Sequence, residues 1–477
     1  MKHLLSLSFW CLLGQALFFT PATFAESPKP SSILYENANL LHTSRGEQTA
    51  NAYMLVTDGR FTYVGTERPD VSEDTEVVNL AGGYVTPGFI DTHAHISLGA
   101  VSFTIEGNNV EMFADNQLEI AKWNAQKMLE FGITSIRNPG GDTRANLAYK
   151  NAQKSGTVIG PRAFVAGSII NTIPFTGLAV GVDNAVSIRE AVGYQAEQGV
   201  DFIKLYTGLD AEQISLAAAE AKRWELPVIG HLESVSWQVG AERGVNHLVH
   251  AMPVSPDLLP AETREEYLAQ LRPGNFNWFE WYAAADFESA EVESMIAALV
   301  EHNTSVDPTL IVFYNAFYGN QPGVTEHPEL MHAHPELVEN WRTFFHFNIG
   351  WEASDFDKAQ QVWPNVQAFV KRLHDEGVLL TVGTDLGNPW VIPGVSYFQE
   401  MELLADSGIS AFEVLKLATS NGAQVLERDH ELGHLAEGYI ADFVVFSENP
   451  AQDISNLHSI QKVIQNGTVN APAAISP

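Results

Sequence analysis

The stretch Tyr84-Val85-Thr86-Pro87-Gly88-Phe89-Ile90-Asp91-Thr92-His93-Ala94-His95 decides how the rest of the chain is read. An apolar run ends abruptly in a polar tip that carries two histidines two residues apart. Residues i and i+2 of a β-strand share a face, so His93 and His95 present their imidazoles side by side. Two converging neutral imidazoles make half of a metal site, and histidine is the commonest metal ligand. A His-x-His pair alone does not settle the matter; other strand ends must supply the remaining ligands.

The text before that stretch reads as short strands. Ala52-Tyr53-Met54-Leu55-Val56 and Phe61-Thr62-Tyr63-Val64-Gly65 flank Thr57-Asp58-Gly59-Arg60, and Asp-Gly between apolar runs signals a hairpin. Further back, Met1-Lys2-His3, an apolar run from Leu4 to Phe19, and small residues before a cut after Ala25 read as a secretory signal peptide over residues 1–25. The mature chain is therefore expected to be exported, to the periplasm or the medium. The single cysteine, Cys11, falls inside this leader, so disulfides do not stabilise the mature protein. No later stretch has the length or apolarity of a membrane span.

After the stretch the style changes. From about residue 116 to 427, helical segments alternate with short apolar strands, which implies a parallel sheet with crossover helices. Strands are expected to end at His95 and to cover Ile133–Arg137, Ala163–Ala166, Val200–Leu205, Pro227–His231, Asn246–His250, Ser305–Leu310 and Leu379–Asp385. Eight strands close a (β/α)₈ barrel. Pro253 to Ala285 interrupts the rhythm as an insertion between the sixth and seventh strands, rich in aromatics such as Phe276, Trp278, Phe279, Trp281 and Tyr282. Its aromatics read equally as a lid over an apolar substrate or as packing on the outer helices.

The chain has 477 residues, enough for a large barrel and a smaller domain, and a formal net charge of −32. Such a charge argues against nucleic acid or an anionic membrane as a partner, because both are repelled. It leaves the oligomeric state open.

Lys204, His231, His250 and Asp385 stand at the ends of the fourth, fifth, sixth and eighth strands. Barrel active sites lie at the C-terminal strand ends, so these groups converge on His93 and His95. His247 and His250 differ by three and should face opposite sides of a regular strand, which leaves His250, at the tip, as the better ligand. His327, His332 and His334 lack strand-end placement and read as surface residues.

The chain resembles the metal-dependent amidohydrolase superfamily, in the branch of secreted prolidase-like and imidazolonepropionase-related hydrolases. The resemblance runs from about residue 33 to 470. It is carried by Val85 to His95, Asp201-Phe202-Ile203-Lys204, Gly383-Thr384-Asp385, Leu417-Ala418-Thr419-Ser420-Asn421-Gly422-Ala423 and Gly433 to Phe443. It implies a barrel over residues 88–432, and a composite β-sandwich from residues 26–87 and 433–472. It also implies two divalent metal ions, with zinc the expected metal. One would take His93, His95, Lys204 and Asp385; the other Lys204, His231 and His250. An ammonium has no lone pair to give a metal; the resemblance makes Lys204 a carbamate formed with carbon dioxide. A hydroxide bridging the metals would then attack the carbonyl of a small-molecule amide, with Asp385 relaying the proton.

Two departures bear on the substrate. The text Gly167 to Gly177 lacks the Gly-Gly-His that follows the third strand of prolidase-like relatives, and Arg137-Asn138 stands where many have Arg-Asp. A dipeptide, an N-acyl amino acid and a cyclic amide all remain, and Tyr206 and Arg137 are the candidate substrate contacts. The alternatives are a single-metal deaminase or cyclic-amide hydrolase, and an exported non-catalytic metal- or solute-binding protein. The single-metal enzymes place a glutamate three residues after the strand-five histidine; here position 234 is Ser and Glu233 comes only two after His231.

Overall fold

The computed structural model describes residues 32–106, 109–272 and 276–470. The expected leader, residues 1–25, lies outside them. Among the described residues no helix is long and apolar enough to cross a membrane.

The barrel closes. Its first seven strands are Phe89–Asp91, Ile133–Asn138, Arg162–Val165, Ile203–Leu205, Val228–Gly230, His247–Val249 and Ser305–Asp307. The eighth, residues 379–386, is extended but irregular. Val306 N donates to Leu379 O at 2.9 Å on one side of it, and Thr92 N to Val382 O at 2.9 Å on the other. Asp201 N to Val165 O, 2.7 Å, joins the third strand to the fourth. Because both faces of these strands are covered, they read as apolar runs without clean alternation. Ile90, Phe164, Phe202, Ile229 and Val249 point inward and pack with Ala423 and Leu432. Their neighbours Ile203, Leu205, Val228, Leu248 and Val306 point outward to the helices. Helices Ala185–Gln198 and Ala211–Arg223 stand where expected, each opened by a reciprocal capping box, at Asn184 and Asp210.

The two chain ends meet in one eight-stranded sheet. Its path runs Thr468–Asn470, Ile460–Gln465, Phe443–Phe446, Tyr84–Pro87, Ser32–His42, Glu47–Thr57, Arg60–Gly65, with Glu76–Asn79 paired to Ser32–His42. The sheet curls until its inner faces touch: Phe443 packs 5.0 Å from Tyr35 and 5.8 Å from Phe61, four strands away. The expected hairpin turn carries positive φ at both Asp58 (51°) and Gly59 (75°), as its two-residue geometry requires. A side chain on Gly59 would stand 2.8 Å from Asn466 O, so only glycine fits.

One element was not expected. Between the first strand and the first helix, Leu98–Glu106 and Asn109–Asn116 form an antiparallel hairpin above the barrel mouth. The insertion folds as helices Ala261–Gln270 and Phe279–Ala284 and divides by residue. Phe279, Trp281 and Tyr282 are fully buried against Phe317, Phe287 and Phe369, as packing on outer helices requires. Phe276 and Trp278 turn the other way.

Phe443 ties the composite sheet together, so Phe443→Ala should cost about 3–5 kcal/mol. Equilibrium denaturation measures it, and a loss below about 1 kcal/mol would contradict the central place given to this ring.

Candidate metal centre

The expected ligands converge at the C-terminal end of the barrel. His93, His250 and Asp385 bring ligand atoms within 4.8 Å of one another. His93 Nε2 lies 3.2 Å and His95 Nε2 3.4 Å from the same oxygen, Asp385 Oδ1. The ring of His231 is 4.4 Å from that of His250. Lys204 is buried beside them, close enough to feel the charges of Asp307 and Asp385. Burial brings its amine down to about 7, against the upward pull of those two carboxylates.

Strand alternation does not place His250. His247 points inward, its Nδ1 2.7 Å from Ser305 Oγ and its ring against Phe202. Val249 also points inward, so a regular His250 would face out. The two histidines do not lie on opposite sides, as the spacing suggested. His250 has φ +69°, and this left-handed step turns it back into the barrel, with Nδ1 2.8 Å from Thr309 Oγ1. Asp385 makes a similar step at φ +59°. Such residues cost about 1–3 kcal/mol each and cluster at functional sites.

The protonation pattern of the site asks for a cation. His95 Nδ1 lies 2.7 Å from Gly140 O, and a carbonyl only accepts, so Nδ1 carries the hydrogen. Burial lowers the pKa of His95 and leaves it neutral. Its Nε2 therefore presents a lone pair to Asp385 Oδ1, a buried oxygen with no hydrogen-bond partner. Two lone pairs facing each other repel unless a positive charge sits between them. His93 completes the picture: burial pulls its pKa down, but Asp307 and Asp385 outweigh burial and raise it. A metal ion takes the place of that proton when it binds. The donor set, imidazole nitrogens and a carboxylate, suits zinc and its neighbours in the first transition row.

Asp307 is the residue that sequence reasoning missed. It ends the seventh strand, fully buried, and accepts from His93 Nδ1 at 2.7 Å. Its second oxygen accepts from an Arg137 guanidinium nitrogen at 2.6 Å. The signal was available: Asp307 closes an apolar strand as Lys204, His231 and Asp385 close theirs. Arg137, named as a substrate contact from its strand-end place, lies beneath the metal ligands instead. It is fully buried, with Nε donating to Thr92 O at 2.7 Å, and reaches the site only through Asp307. Tyr206 is half-buried at the rim, its ring 4.8 Å from that of His231. His327, His332 and His334 are not the exposed residues expected. They are partly buried, His332 pairing with Glu329 at 2.8 Å and His334 packing on Trp123.

A profile of the amidohydrolase family matches residues 84–470. The chain belongs to the amidohydrolase family. Adenine deaminase 3 of Rhizobium meliloti (strain 1021) is 34% identical over 438 residues, which are 89% of this chain and 56% of that protein. The chain thus spans about half the length of that curated relative. Among solved structures, a Xaa-Pro dipeptidase with bound methionine has a TM-score of 0.66 at 20% identity, covering 92% of this chain and 100% of that one. A bottromycin amidohydrolase has a TM-score of 0.68 at 21% identity, covering 93% and 87%. At such identities these structures speak for the fold alone.

Asp307→Asn should weaken metal binding about 10–100-fold, because the neutral amide no longer fixes the His93 tautomer or balances Arg137. Chelator competition checks it; unchanged metal affinity would remove Asp307 from the centre.

Proposed function

We propose that the protein is an exported binuclear metal hydrolase that cleaves an amide or peptide-like C–N bond of a small molecule. The observation that carries the reading is the approach of His93, His95 and His250 to Asp385, with the ring of His231 against that of His250 and Lys204 buried within reach of the Asp385 charge. A structural zinc site needs four ligands; six suit two ions. One metal would take His93, His95, Lys204 and Asp385, and the other Lys204, His231 and His250.

Lysine fits this set once its amine has added carbon dioxide, giving a carbamate and releasing one proton. The carbamate supplies two oxygens where an ammonium would repel both cations. When bound, the metals acidify a water and polarise the scissile carbonyl. Asp385 takes the proton of that water and delivers it to the leaving nitrogen, so amide and water become carboxylic acid and amine. Asp307 and Gly140 hold the two histidines of the first strand in the tautomer that keeps Nε2 free. Tyr206 stands at the rim, where its hydroxyl can meet the substrate.

The name of the Rhizobium relative favours a second reading, deamination of a purine-like ring. Glu233 Oε1 lies 3.3 Å from His231 Nε2, but it comes from two residues on rather than three. Release of ammonia from adenine, with no cleavage of any dipeptide or N-acyl amino acid, would favour that reading.

Elemental analysis of the pure protein should find about two zinc-like ions per chain. Asp385→Asn should lower turnover by about 10²–10⁴-fold, beyond any loss of metal. Lys204→Ala should lose at least one metal, and acetate or propionate should restore part of the activity by filling the vacated space with a carboxylate. Lys204→Arg should resist that rescue, since a guanidinium fills the space with positive charge. If Lys204→Ala kept both metals and full turnover without added acid, the carbamate reading would be wrong.

A further inference from the structure

An unbroken run of aromatic rings leads from a metal ligand to the surface. Phe313 meets the His250 ring edge-on at 5.9 Å, and Trp278 meets Phe313 at 5.3 Å. Trp278 in turn touches Phe276 at 5.1 Å and Phe347 at 5.5 Å, and Phe276 touches Phe347 at 5.2 Å. Exposure grows along it, from 2% at Phe313 to 39% at Phe276.

Core packing accounts for Phe279, Trp281 and Tyr282 of the same insertion, which are fully buried. It does not account for Phe276, which remains in water, nor for the company it keeps. The other loops over this end of the barrel also expose large apolar side chains: Phe103 and Met112 on the hairpin and Ile173 after the third strand are 44%, 41% and 71% exposed. Aromatic walls with a polar centre at one end are how sites take up ligands that are apolar at one end and reactive at the other.

We propose that Trp278, Phe347 and Phe276, backed by the buried Phe313, form a binding wall for an apolar acyl group, so that the substrate is an N-acyl amino acid with a long or bulky acyl chain. This rests on the amide-hydrolase reading and adds to it the character of the group on the carbonyl side. The carbonyl then lies at the metal end of the wall, and the acyl chain runs outward over Trp278 toward Phe276. A short dipeptide would leave most of the wall wet.

The test compares N-acetylglycine, N-hexanoylglycine and N-decanoylglycine with the metal-loaded protein. Both kcat/KM and, by calorimetry, binding affinity should rise about fourfold for each methylene that reaches the wall. Trp278→Ala and, separately, Phe276→Ser should flatten that rise, shrinking the ratio of decanoyl to acetyl rather than lowering both alike. Phe276 is exposed, so its variant guards against a folding defect at Trp278. Absence of hydrolysis with a steep rise in binding would overturn the amide-hydrolase chemistry and keep the wall. A flat series in the native protein would overturn the wall, whether or not turnover is seen. So would a concentration-dependent dimer abolished by Phe276→Ser with the chain-length ratio unchanged, since the rings would then be a self-association face.

Discussion

A neutral imidazole has one hydrogen to give, and that limit organises the centre of this molecule. Gly140 takes the Nδ1 hydrogen of His95 and Asp307 that of His93, so the far nitrogen of His95 faces Asp385 Oδ1 as a lone pair and that of His93 becomes one when a metal displaces its proton. Such an arrangement is repulsive in a dry interior and becomes attractive only around a cation. The surrounding structure is built to keep the groups there. Asp91 accepts from the backbone of His93 and from both the backbone and hydroxyl of Thr384, which locks the first strand to the eighth. Arg137 spans the first, second and seventh strands and fixes the Asp307 carboxylate in place.

Holding ligands this tightly has a conformational cost, and the cost is concentrated at strand ends. His250, Asp385 and Thr309 all adopt positive φ, and Thr309 is β-branched, the kind of residue that resists this region most. Each pays about 1–3 kcal/mol for a direction that regular strand geometry would not give. Gly383 serves the same end by omission: a side chain there would stand 2.8 Å from His93 Cβ and 3.2 Å from Asp307 Cβ.

The composite sheet bears on the site from the other end. Arg162, on the third barrel strand, donates to Asp442 at 2.9 Å and to Asn466 at 2.7 Å, so the C-terminal part of the composite sheet is anchored to the barrel floor. The loops at the opposite rim, free of that duty, carry the hairpin and the aromatic insertion. The barrel architecture permits that division, with the composite sheet at one end and the variable loops at the other.

Much of this was legible in the sequence. The eight barrel strands, the hairpin at Asp58-Gly59 and the expected convergence of His93, His95, Lys204, His231, His250 and Asp385 follow from periodicity, turn chemistry and the rule that barrel sites gather at strand ends; the composite domain came from the family resemblance. Those signals are local, or they need only the order of strands. What the sequence could not decide depended on direction and neighbours. Whether His250 faced in or out turned on a single backbone dihedral that no spacing records. Arg137 stands at a strand end like a ligand, yet its guanidinium lies beneath the site because Asp307, 170 residues away, meets it there. The aromatic insertion split into a buried face and an exposed one because helices from distant parts of the chain cover only one side of it. A strand-end residue type is written in the chain; the atom it faces is set by which other segments arrive, and that only the tertiary structure decides.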